Sequence, residues 1–144
     1  MVFAVPGKPQ GKGRPRFSKY SGAYTPKATK DYEAYIRECY IKSGGKYIGE
    51  EKPIHIGVTA CFSPPKNTPK KNKALMLLEK ILPVKRPDGD NILKIAADAL
   101  NGVAYHDDKQ ITDWDLKKRY SAESCLIIKI EEIQLEGMQC QTTE

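Results

Sequence analysis

Two aspartates separated by one glycine, Asp88-Gly89-Asp90, put short carboxylates on the same side of an extended backbone with no bulk between them. Such a pair can share one cation. A hard divalent ion such as Mg²⁺ takes oxygen ligands at about 2.1 Å and keeps several waters, so two carboxylates plus a substrate phosphate make an ordinary site. A second pair, Asp107-Asp108, follows the short stretch Val103 to His106. If the helix between the pairs packs antiparallel to its flanking chain, one of these acids returns to the Asp88–Asp90 end; the sequence permits that return without requiring it. The chemistry such a set could do is phosphodiester hydrolysis. A bound ion would grip the scissile phosphate and lower the pKa of an attacking water, and a second ion about 3.5–4 Å away would cover the leaving oxygen. Lys94, one helical turn beyond Asp90, would offset the developing negative charge or orient a carboxylate.

Each piece also has a plainer reading. A lone D-x-D is more often a helix cap or a solvated turn, and Lys94 could form only an i, i+4 salt bridge worth a few tenths of a kcal/mol. Asp98 reads as a polar helix position, Asp113 and Asp115 as surface residues, and His106 as a passive loop histidine. Together, Asp88, Asp90, Lys94 and Asp108 are more specific than any pair. Crowded carboxylates raise one another's pKa, so the cluster needs a cation or Lys94 beside it.

The charge around these acids favours an anionic partner. The chain of 144 residues carries a formal net charge of +6. From Met1 to Lys30 it has no acidic residue and seven cations: Lys8, Lys12, Arg14, Arg16, Lys19, Lys27 and Lys30. Phe17, Tyr20 and Tyr24 are interleaved with them, as expected where cations hold phosphates and rings stack on unpaired bases. A solvated, mobile arm is the competing reading. A second basic block, Lys66 to Arg86, leads directly into the seven aspartates between Asp88 and Asp115.

Positioning these groups requires a scaffold. Val2 to Val5 reads as a strand leading into a basic loop. Thr25-Pro26 reads as a cap and first-turn proline opening a helix that Gly44-Gly45 stops. Ile54 to Phe62 alternates as a strand, and Thr68-Pro69 opens a short second helix. Asp90 or Asn91 caps a third helix that ends near Asn101-Gly102. On that helix Asp90, Lys94, Asp98 and Asn101 share one face, and Ile92, Ile95, Ala96, Ala99 and Leu100 the other. Gln110 to Tyr120 and Cys125 to Ile130 read as two further strands, and residues 136–144 as a frayed tail. The expected fold class is α+β, a single domain over 1–144 with a mixed β-sheet and helices on one side. The four cysteines lack metal-ligand spacing and read as buried, reduced thiols. No stretch is apolar enough to span a membrane or serve as a secretory signal, so the expected location is cytoplasmic.

The run Arg86-Pro87-Asp88-Gly89-Asp90-Asn91-Ile92-Leu93-Lys94, continued by Asp98-Ala99-Leu100-Asn101-Gly102 and His106-Asp107-Asp108-Lys109-Gln110-Ile111, resembles the RusA family of Holliday junction resolvases. Pro6 to Pro9, Arg14-Pro15-Arg16 and Tyr24-Thr25-Pro26 also look like that family's amino-terminal half, and the likeness extends to about Tyr120. The resemblance implies a RusA-like fold and a small homodimeric, Mg²⁺-dependent endonuclease, with Mn²⁺ able to substitute. Such enzymes, often carried by prophages, cut four-way DNA junctions by paired incisions in recombination and repair. It further implies Asp88, Asp90 and Asp108 as metal-binding carboxylates, Asp107 as the adjacent acid and Lys94 as the catalytic lysine. Lys8, Lys12, Arg14, Arg16, Lys85 and Arg86 would hold DNA. Two alternatives stay open: a non-catalytic, structure-selective DNA-binding protein, and a metal-dependent nuclease acting on other branched DNA or RNA.

Overall fold

The computed structural model describes residues 1–20 and 22–135. In chain order its elements are β1 (Val2–Pro6), β2 (Arg16–Ser18), β3 (Gly22–Tyr24), α1 (Lys27–Lys42), β4 (Ile54–Phe62), α2 (Lys70–Leu77), α3 (Gly89–Leu100), a 3₁₀ turn (Asp108–Gln110), β5 (Ile111–Tyr120) and β6 (Cys125–Glu132). This is the expected α+β arrangement. The main sheet has the order β1-β6-β4-β5. β6 runs antiparallel to both β1 and β4, while β4 and β5 are parallel. A parallel pair needs a long crossover, and α2 and α3 lie within it.

Side-chain alternation gives the sheet one dry face. Phe3 and Val5 lie opposite Ile128 and Leu126, and Ile56, Val58 and Ala60 lie opposite Ile130, Ile128 and Leu126; all are buried. α1 contributes Tyr32, Ile36 and Tyr40 to this core, and α3 contributes Ile92, Ile95, Ala96, Ala97, Ala99 and Leu100. Each fully buried large apolar side chain stabilises the fold by about 1.5–3 kcal/mol. The three alanines of α3 let it settle close to the sheet. α2 buries none of its residues.

Several boundaries differ from the sequence reading, for local reasons. Pro26 and Pro69 have extended backbones, with ψ of 147° and 146°, so they are the caps and their helices begin one residue later. α3 starts earlier than expected. Asp88 is its N-cap, Gly89 its first residue, and Asp90 lies in the first turn, where the helix dipole favours a carboxylate. The Asp88–Asp90 pair is therefore half cap and half helix, rather than one extended segment. The expected basic loop contains the two-stranded β2–β3 hairpin. Of the cysteines, Cys61 is buried, Cys39 and Cys125 are half-buried, and these three are free thiols; Cys140 and the expected frayed tail lie outside the described residues.

Two features of this frame make direct predictions. A Cβ on Gly45 would fall 2.4 Å from the Tyr40 ring, which is buried and bonded through its hydroxyl to the Lys46 carbonyl. The ring cannot step aside, so Gly45→Ala should cost about 2 kcal/mol in chemical denaturation; an unchanged midpoint would show that the ring yields.

The second lies on the open face of the sheet. His55 joins three strands, its Nδ1 2.9 Å from Glu131 Oε1 and its Nε2 2.7 Å from Asp115 Oδ2. Glu131 and then Asp115 raise the His55 pKa above its ordinary value. The cation donates to both acids, whereas the neutral ring has one N–H. This stabilisation is full below the unfolded pKa of about 6.5 and is lost as pH rises through the higher folded value. The melting-temperature gap between wild type and His55→Asn should therefore be wider at pH 6 than at pH 9; an equal gap would refute the assignment.

Candidate active site

α3 fixes the directions of the acids, because its apolar side must face the core. Its outward row is Asp90, Lys94 and Asp98; Asp90 and Lys94 are exposed and Asp98 is half-buried. With a rise of 1.5 Å per residue, Asp90 and Asp98 are about 12 Å apart along the axis. Asp88, also exposed, precedes the first turn. The amino end of α3 lies over Leu116, since a Cβ on Gly89 would meet the Leu116 side chain.

The basic segment is docked against this helix end. The Lys12 amide donates to the Asn91 carbonyl at 2.9 Å, and the Gly13 amide donates to Thr29 Oγ1 at 3.1 Å. Gly11 is packed so closely that an added Cβ would lie 3.1 Å from both Pro87 and Asn91. Its other flank is held by charge. Lys12 Nζ is 2.6 Å from Glu33 Oε1 and 3.0 Å from Asp98 Oδ2, joining the segment to α1 and α3. Burial lowers the Lys12 pKa, but hydrogen bonds and charge from Glu33 and Asp98 outweigh it, giving a net rise.

An open cleft of about 680 Å³ results, lined by Lys8, Lys12, Arg14, Arg86, Asp88 and Asn91. Three cations, Lys8, Arg14 and Arg86, therefore line the cleft beside the amino end of α3, while the Lys12 ammonium is engaged by Glu33 and Asp98. The Lys85 backbone is tied to β5, where Lys118 Nζ donates to its carbonyl at 2.5 Å, and Arg119 of β5 pairs with Glu79 at 3.2 Å. Arg16 stands on β2, beyond the cleft lining. These tethers were invisible in the sequence, where the partners are far apart.

Asp107 and Asp108 sit at the start of the turn leading into β5. Asp107 caps it: its carboxylate accepts the Lys109 amide at 2.9 Å, and Gln110 Oε1 accepts the amides of His106 and Asp107. Gln110 Nε2 donates to the carbonyls of Gly49 and Lys52, anchoring the turn. The Lys109 amide, followed by a hydrogen bond with Asp108, holds the Asp107 carboxyl below its usual range. Burial pushes Asp108 up, helped by Asp107 and by the charge of Asp98. His106 Nδ1 lies 3.5 Å from Glu50 Oε1, an exposed pair.

The acids thus form two pairs along the chain, Asp88 with Asp90 at the amino end of α3, and Asp107 with Asp108 at the turn that leads into β5. Among the described residues, no three His, Cys, Asp or Glu side chains converge as a metal-binding group. The donor chemistry nevertheless suits a hard divalent ion. Asp88, Asp90, Asp107 and Asp108 have no ion-pair partner among the described residues, and oxygen donors without a protein cation are what Mg²⁺ accepts. Lys94 is likewise outside any ion pair among those residues, so the plainer i, i+4 bridge to Asp90 is not formed.

Comparison with known proteins covers nearly the whole chain. The family model described as endodeoxyribonuclease RusA matches residues 6–131. An uncharacterised protein of Bacillus subtilis (strain 168), YqaN, is similar: 32% identical over 136 residues, spanning 91% of this chain and 95% of its own length. On that match the chain belongs to the RusA family of Holliday junction-resolving endodeoxyribonucleases.

Proposed function

We propose that this chain is a Mg²⁺-dependent, structure-selective endonuclease acting as a homodimer on four-way DNA junctions, with Mn²⁺ able to substitute and with paired incisions as its product. The observation that carries the reading is the Asp88–Asp90 couple, without an ion-pair partner among the described residues, beside a cleft lined by Lys8, Arg14 and Arg86. A surface that pairs with phosphate through cations has no use for uncompensated carboxylates beside them, unless a metal ion joins the two.

Asp88, Asp90 and Asp108 would hold that ion, with Asp107 as the adjacent acid. When bound, the metal supplies an activated water and charge stabilisation at phosphorus. The remaining steps belong to the chain. Lys8, Arg14, Arg16, Lys85 and Arg86 would hold flanking phosphates, and Lys94 would present its ammonium toward the developing charge. Asp107, fixed by the Lys109 amide, keeps Asp108 in place. A two-fold dimer matches a substrate with two symmetric strands to cut.

The test is incubation of end-labelled four-way junction, flap, duplex and RNA substrates with the folded protein, with Mg²⁺ and with chelator. Symmetric paired nicks in the junction, dependent on the ion, are expected. Binding without nicks at any salt concentration would favour a non-catalytic DNA-binding protein, and faster cutting of flap or RNA would reassign the substrate.

A further inference from the structure

The hairpin β2–β3 presents two rings to solvent. Phe17 is 82% exposed and Tyr20, at the turn, is 93% exposed. Tyr24, on the returning strand, is 43% exposed. Large aromatic side chains so placed contribute nothing to the core, and among the described residues the hairpin's two strands pair only with each other. Its two strands of three residues, Arg16–Ser18 and Gly22–Tyr24, are too short to be stable alone. The structure instead holds them by their root, since Gly13 is bonded to Thr29 and α1 begins directly after Pro26.

That root is the wall of the cationic cleft. Arg14 lines the cleft, and Phe17 follows three residues later, so the Phe17 Cα is at most about 11 Å from that of Arg14. Arg16 and Lys19 flank Phe17, and both are exposed. Cations that hold a phosphate backbone, with bare rings a nucleotide or two beyond them, are the arrangement on which unpaired bases stack. Duplex DNA offers no free base faces. The crossover of a four-way junction does, once its central pairs open.

We infer that the β2–β3 hairpin is a stacking wedge: Phe17 and Tyr20 engage bases unpaired at the branch point and so set the enzyme's preference for junctions over duplex. The inference rests on the proposed junction substrate and adds the structural element that recognises it. Arg16 and Lys19 supply phosphate contacts, and the rings supply the selectivity for open bases.

The experiment places 2-aminopurine at the crossover of a synthetic junction, in the chelated state so that no cutting intervenes. Wild-type protein is expected to raise its fluorescence as the base leaves the stack. The double variant Phe17→Ala/Tyr20→Ala should lose that rise and weaken junction binding about tenfold per ring, while duplex binding stays within about twofold. Phe17→Tyr/Tyr20→Phe, which keeps both rings, should restore the signal. A double variant that unstacks the base as wild type does overturns the wedge and leaves the junction reading intact. A wild-type protein that shows no preference for the junction removes both. Sedimentation of the same variants tests the other occupant of exposed rings, since conversion of a dimer to monomer with unchanged fluorescence would reassign them to a protein interface.

Discussion

Replacement Asp90→Asn should reduce junction cleavage at least about 10³-fold while leaving junction binding unchanged or tighter. The size follows from the proposed role: the loss would remove one charged oxygen ligand from an ion that supplies both the nucleophile and the charge stabilisation, each worth several kcal/mol of barrier. Binding is spared because Asp90 is exposed and lacks an ion-pair partner among the described residues, so no salt bridge is broken and one negative charge facing phosphate is removed. Asparagine also retains the shape of the first turn of α3. Single-turnover cleavage of a labelled junction, with a gel-shift titration in chelator, measures the two effects separately. Persistent cutting would exclude Asp90 from the metal site.

Lys12→Met should have the largest effect on stability among the basic residues, about 2 kcal/mol, or a fall in melting temperature of roughly 4–8 °C for a chain of this size. The side chain is 19% exposed and its partners Glu33 and Asp98 are 14% and 28% exposed. Losing it leaves two half-buried carboxylates without their shared cation, which costs more than a surface salt bridge contributes. Lys8→Met and Arg14→Met, whose side chains are exposed, should shift melting little. They should instead lower the slope of log affinity against log salt by close to one per phosphate contact. Scanning calorimetry and salt titration of the three variants together decide the matter; a Lys12→Met protein as stable as wild type would make Lys12 an ordinary phosphate contact.

The sequence revealed most where the governing interaction is local. The two faces of α3 were visible as helical spacing because its neighbours are one turn apart, and β4 was visible as strict alternation. The acids stood out because a basic chain had gathered its aspartates. What the sequence hid depends on groups distant along the chain. Lys12 counts as one more cation until Glu33, 21 positions away, and Asp98 are folded against it. The charge that Asp98 exerts on Asp108 was hidden for the same reason, since the two are ten positions apart along the chain. The hairpin escaped because strands of three residues leave too short a pattern to count. The proline caps were misplaced by one residue because an extended proline and a first-turn proline share the same φ and differ only in ψ.

The parallel pairing of β4 with β5 places every candidate acid and Lys94 on the single length of chain that leaves one strand and returns beside it. The proposed catalytic residues thus follow one another on a single uninterrupted stretch, whereas most of the cations proposed to hold DNA precede α1.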